Sequence, residues 1–255
     1  MQILEINKMI LTIARKELKL LFVSPLAWTF LALIQLILTW VFLGRLDAFL
    51  ELQAQLMQIA NPPGATEVII VPVFAVASIV LLMTTPLLTM RLMAEEWRNH
   101  TMALLISAPI SMTAIVLGKF LGLMVFFLLA TLLAVVLSLS LLVGGAMDLG
   151  LLVSNAIGLL LLAACFVSIG LYISSLTSHP AIAALGTLGI LLALWIADIV
   201  VSDVSGVIQN FSLLRHYENF NRGLIDSFSF AFFTLFIVTF LILTVRRLDG
   251  ERLHG

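Results

Sequence analysis

Six stretches of the chain are apolar over 18 or more positions with almost no charge, and short polar segments separate them. They are Leu26–Gly44, Val68–Met90, Ile115–Val143, Leu149–Leu176, Ala181–Val201 and Phe228–Val245. A bilayer core about 30 Å thick takes about 20 residues of helix, and hydrocarbon forces each spanning backbone to bond within itself. The pattern therefore predicts an all-α polytopic membrane protein with six transmembrane helices. The third and fourth stretches exceed the minimum, which permits tilt or an extension into water. The last, at 18 residues, is near the lower limit.

Residues 1–24 change the period. Glu5, Lys8, Thr12, Arg15, Lys16 and Lys19 recur at three- and four-residue steps, and Ile3, Ile6, Ile10, Ala14, Leu18 and Leu21 occupy the other side. This is the signature of an amphipathic interfacial helix. Its basic residues Arg15, Lys16 and Lys19 would face the membrane surface, either as an orienting flank or as an elbow packed on the bundle. Pro25 marks the turn into the bilayer. The apolar run after it is longer than a signal peptide's and no A-x-A site follows, so it is expected to be an uncleaved first span.

The densest run of charge lies between the second and third stretches, in residues 91–114. Glu95 and Glu96 lead into a short apolar stripe of Met102, Leu105 and Ile106 with Leu104 alongside, and Pro109 stops it. So short a helix forms only against a partner or the bilayer surface. It reads equally as a surface helix finishing a turn or as a contact helix fitting a groove on another protein.

Two loops on the opposite side are long enough to hold structure. Arg45–Glu67 has a helix-like stretch, then Asn61, Pro62, Pro63 and Gly64, which must turn. Ser202–Ser227 places Leu213, Leu214, Tyr217, Phe220 and Leu224 on one helical stripe beside Arg215, His216, Glu218 and Arg222, as expected of a segment dipping into the interface. Those residues would form an outer gate or a partner loop. Gly144–Asp148 and Thr177–Pro180 read as tight turns.

Composition agrees with the pattern. Of 255 residues, 62% are apolar and 11% charged, with mean hydropathy +1.20; a soluble domain is about 25% charged. The net charge of -1 gives nucleic-acid binding no support. The distribution of charge is more telling. Of 13 Lys and Arg residues, Lys8, Arg15, Lys16, Lys19, Arg91, Arg98, Lys119, Arg246, Arg247 and Arg252 fall on the side of the termini, and Arg45, Arg215 and Arg222 fall opposite. The positive-inside rule then puts both termini and the 91–114 insert in the cytoplasm.

No phosphate loop, H-E-x-x-H or dinucleotide fingerprint occurs, so nucleotide chemistry would belong to another polypeptide. Cys165 is the only cysteine, and His100, His179, His216 and His254 are scattered, so no disulfide framework and no evident metal site is expected. The spans are nearly free of the ionisable groups an ion-coupled carrier needs; Asp198 lies near a span end beside Trp195. Gln35, Thr84, Thr85, Asn155, Ser168, Ser174 and Ser175 can line a path or bond between helices. Gly118 and Gly122 form a G-x-x-x-G, which signals close packing without naming the partner. Pro72 and Pro86 both fall in the second span and would bend it toward the insert. No repeat or soluble domain is evident, and one membrane domain accounts for residues 1–255.

The run Pro86–Leu121 resembles the segment joining spans two and three of type 2 ATP-binding-cassette permeases. Glu95, Glu96, Arg98, Thr101, Leu104, Leu105, Ala108, Pro109, Gly118 and Lys119 take the places of that family's motif, whereas His100 stands where many members have Gly. The loop Arg215–Asp226 resembles the subgroup with the gliding-motility-associated permease and the membrane subunit of nitrous-oxide-reductase maturation. The resemblance implies a non-enzymatic half-transporter of the bacterial inner membrane. Two permease subunits would pair, as a homodimer or a heterodimer, and each would dock a cytoplasmic ATPase that holds the ATP and magnesium. The insert would be the coupling helix, with Glu95, Glu96, Arg98, Thr101, Leu104, Leu105, Ile106 and Pro109 at the ATPase interface. An exporter is the leading expectation; a scaffold or force-transmitting anchor acting on an auxiliary extracytoplasmic protein is the alternative.

Overall fold

The computed structural model describes residues 2–56, 64–102, 110–143, 147–201 and 212–254. Among them, six helices are long and apolar enough to cross a membrane. In chain order the elements are α1 Gln2–Val23, α2 Pro25–Leu56, α3 Val71–Thr89, α4 Ala94–Arg98, α5 Met112–Leu139, α6 Leu149–Leu176, α7 Pro180–Val201, α8 Leu213–Asn221 and α9 Ser227–His254. Polar caps set three of the starts. Ser111 accepts from the Ala114 amide at 3.3 Å, Asp148 from Leu151 at 3.0 Å and Ser212 from Arg215 at 3.1 Å.

The bundle is built around α6, which packs on α3, α5, α7, α8 and α9. Of its most apolar stretch 67% is buried, against 17% in α7 and in α9. The reason is side-chain size. Ser154, Gly158, Ala163, Cys165, Ser168, Gly170 and Ser174 are buried along it and admit neighbouring helices closely. A Cβ on Gly158 would stand 2.5 Å from that of Phe220, and one on Gly170 would overlap Thr89.

Two expected spans are longer than their apolar cores. α2 continues past Gly44 to Leu56, so the helix-like part of the first outer loop belongs to the span. Asn61, Pro62 and Pro63 lie outside the described residues. α9 runs past Val245 to His254 and carries an Arg247–Glu251 ion pair on its last turns.

The two prolines of the second span behave differently. Pro72 lies in the first turn of α3, behind a π-helical turn over Thr66–Ile70, far from the insert. A residue without an amide proton cannot complete the ladder there, and the wider turn accommodates the gap. Of the two, only Pro86 lies inside the helix near the insert. Three residues past Pro86 the helix stops, and the chain resumes as α4 after a turn at residues 90–93.

Of the polar residues expected in the spans, Thr84, Thr85, Ser168 and Ser175 bond back to carbonyls of their own helices. Asn155 and Ser174 bond between elements. The Gln35 Oε1 is buried without a partner among the described residues.

Candidate functional site

The charged end of the second span is assembled by three elements. α1 lies along α5 because Gly118 and Gly122 leave room for it: a Cβ at Gly118 would stand 2.6 Å from Ile13, and one at Gly122 2.9 Å from the Glu17 side chain. The G-x-x-x-G therefore receives the elbow helix, and the elbow is a packed part of the bundle. Its contact face includes Ile13 and Glu17, whereas Arg15, Lys16 and Lys19 are exposed.

One turn of chemistry sits on that contact. Lys119, only 1% exposed, places its Nζ 2.8 Å from Glu96 Oε1 and 2.9 Å from Glu17 Oε1. Lys16 stands 3.9 Å from the same Glu96 oxygen. The ammonium thus ties α4, α1 and α5 together. Burying a lysine is unfavourable unless it is paired and hydrogen-bonded, and here two carboxylates share it. With Lys16 counted, two lysines face two carboxylates.

The break before α4 is equally well bonded. Ser174 of α6 accepts from the amides of Met93 at 3.2 Å and Ala94 at 3.0 Å and donates to the Met90 carbonyl at 3.3 Å. That uses the full capacity of one hydroxyl. At the other end of α4, Thr101 N bonds the Glu96 carbonyl at 3.0 Å and His100 N bonds that of Trp97 at 3.2 Å. This is a Schellman motif with His100 in the left-handed position at φ 56°. The place where the resembled family often has Gly is therefore one whose backbone favours Gly.

Glu95 and Glu96 are half-buried, and Arg98 and Thr101 are exposed. Leu104, Leu105, Ile106 and Pro109 lie outside the described residues. A cavity of about 440 Å3 opens beside Lys119, between α1, the start of α2, the end of α3 and α4.

At the opposite end, α8 presents two faces. Arg215, Glu218 and Arg222 are exposed, and Arg222 stands 3.7 Å from Glu218. His216, Tyr217 and Phe220 are buried in the bundle. The Tyr217 hydroxyl donates to the Phe74 carbonyl at 2.7 Å, and burial pushes its phenol well above the usual range. His216 Nδ1 is 2.9 Å from Ser229 Oγ, and its ring stacks on Phe232 with centroids 4.4 Å apart. Ser154 donates to the Phe220 carbonyl and Asn155 to that of Asn221. Gly223, at φ 82°, closes α8 as His100 closes α4. Ser212 bonds Asp198, fixing the start of α8 to the end of α7.

Sequence reasoning missed Glu17. Glu17 had a signal: it is an acid spaced three, four and seven residues from Ala14, Ile13 and Ile10, the residues that face α5. Ser174 is one of the residues expected to line a path or bond between helices, and it does the latter; its partners at Met90, Met93 and Ala94 carry no signal in sequence.

No curated protein matches the chain. A family model described as "ABC-2 family transporter protein" matches residues 11–231, which takes in the second half of the elbow helix, the α3–α4 break, Lys119 and α8. The chain belongs to that family of membrane permeases.

Proposed function

We propose that the chain is the membrane subunit of an ATP-driven exporter in the bacterial inner membrane, with both termini in the cytoplasm. It pairs with a second permease subunit, and each docks a cytoplasmic ATPase that holds the ATP and magnesium. The observation that carries this reading is the Lys119 tie. A short charged element, α4, projects from a broken span and is ion-paired to two further helices, so a partner that displaces α4 acts on α1 and α5 as well. Motion of that kind is a rigid-body switch. The charge asymmetry of the loops supports the orientation.

Glu96 is committed to Lys119 within the chain, which leaves Glu95 and Arg98 as the charges that a partner would meet. Glu95→Lys combined with Arg98→Glu is expected to release the ATPase from the purified complex while the permease keeps its melting temperature. Unchanged co-purification overturns the assignment. Recovery of a tightly bound extracytoplasmic protein, with no solute transport in vesicles, favours the force-transmitting anchor.

A further inference from the structure

We propose that the cavity beside Lys119 binds one phospholipid with a primary-amine headgroup, of the phosphatidylethanolamine class. Its floor is acidic. Lys119 is shared by Glu17 and Glu96, Lys16 reaches the same Glu96 oxygen only at 3.9 Å from its exposed position, and Glu95 lines the same space. Glu96 Oε1 is taken by Lys119, whereas Glu96 Oε2 is buried and accepts no hydrogen bond among the described residues. A buried carboxylate oxygen without a donor is unfavourable, and a primary ammonium supplies that donor.

The rim has the opposite sign. Arg91 and Lys16 line it and are exposed; Arg91 makes no ion pair among the described residues, and its guanidinium matches a phosphate in shape and charge. Amine inside and phosphate at the mouth is the order of groups in such a headgroup, read inward from the glycerol.

The remaining wall is apolar, and it leads out along the bundle. Leu20, Leu21, Leu88 and Leu92 line the cavity with Leu87. Leu87 continues a stripe with Met83 and Ile79 at four-residue steps along α3, and these three are 42%, 45% and 42% exposed. The stripe is about 12 Å long. The cavity, at about 440 Å3, takes the headgroup, and the glycerol and an acyl chain follow from the mouth onto the stripe. A choline headgroup offers no N–H to Glu96, and a glycerol headgroup brings no cation. The assignment is independent of whether an ATPase docks on α4.

The test is native mass spectrometry of the full chain in detergent, titrated with phosphatidylethanolamine, phosphatidylcholine or phosphatidylglycerol of matched acyl chains. One phosphatidylethanolamine per chain should be retained about tenfold more tightly than either of the others. Glu96→Gln should remove that preference, and Leu20→Trp, at an exposed wall position, should weaken all three lipids together. Soluble phosphoethanolamine should fail to displace the lipid at equal concentration. Equal retention of the three lipids by the unmodified chain overturns the proposal, and so does full displacement by phosphoethanolamine.

Discussion

Lys119 of α5 and Glu96 of α4 are joined at 2.8 Å with the lysine almost wholly out of solvent, and Glu17 of α1 closes the group at 2.9 Å. Removing the cation alone strands two largely buried carboxylates against each other, a change that costs about 3–5 kcal/mol in comparable buried pairs. Lys119→Met should therefore lower the melting temperature of the purified permease sharply. Adding Glu17→Leu and Glu96→Leu to it should restore most of the loss, because an apolar set of similar size avoids the desolvation cost. A Lys119→Met protein that melts with the unmodified one would show that the ammonium is not the tie between the helices.

The elbow depends on two missing side chains. Gly118→Val and Gly122→Val each insert bulk where Ile13, Glu17 and the carbonyls of Ile10 and Ala14 already press on α5. Overpacking of this kind costs about 1–3 kcal/mol, and α1 is the element free to move away. Arg15, Lys16 and Lys19 are exposed on α1, so trypsin reports the release directly. Cleavage in α1 should accelerate in either variant while the six spans remain intact, and unchanged cleavage would place the elbow's anchorage elsewhere.

The long-range plan was legible because hydrocarbon allows few solutions. Six apolar stretches became six helices, the fourth with the limits Leu149–Leu176 that its composition suggests, and the family membership agrees with the resemblance seen in the motif around Glu95 and Lys119. Apolarity measures only the part of a helix in lipid, which is why the polar end of α2 beyond Gly44 reads as a loop with a helix-like stretch. The stripe on α8 was mostly visible, with Leu213, Tyr217 and Phe220 buried as a group. His216 reads as part of the polar side because a histidine counts as polar, but Ser229 and the Phe232 ring give it a buried site. Pairings across the chain were invisible: Glu17 and Lys119 are 102 residues apart, and Ser174 is 81 from the Met93 amide it accepts.

The C-terminus of α4 holds a local strain with a simple remedy. His100 occupies the left-handed region at φ 56°, where a residue with a Cβ is disfavoured by about 1–2 kcal/mol and glycine is not. His100→Gly should hold or raise the melting temperature, the added freedom of the unfolded chain offsetting part of the relief. His100→Val, β-branched and least suited to that region, should lower it and loosen α4. Hydrogen exchange at the Thr101 amide, which closes the motif on the Glu96 carbonyl, separates the three proteins. Equal protection in all of them would mean that α4 does not need this turn.

Tyr217 links α8 to α3 through its 2.7 Å bond to the Phe74 carbonyl, and burial pushes its phenol up. An unfolded tyrosine titrates near pH 10. Below that both states keep the proton and the contribution of Tyr217 to stability is fully present. Above it the unfolded chain loses the proton and the folded one does not, so stability falls by up to about 1.4 kcal/mol for each further pH unit. The chain has 2 tyrosines, so a Tyr172→Phe background isolates Tyr217. Phenolate absorbance should be absent at pH 11 while the protein stays folded, and should rise together with unfolding. Tyr217→Phe should cost about 1 kcal/mol at neutral pH for the lost hydrogen bond and flatten the alkaline decline. A phenol that titrates near pH 10 in the folded protein would mean that α8 is not closed against the bundle in solution.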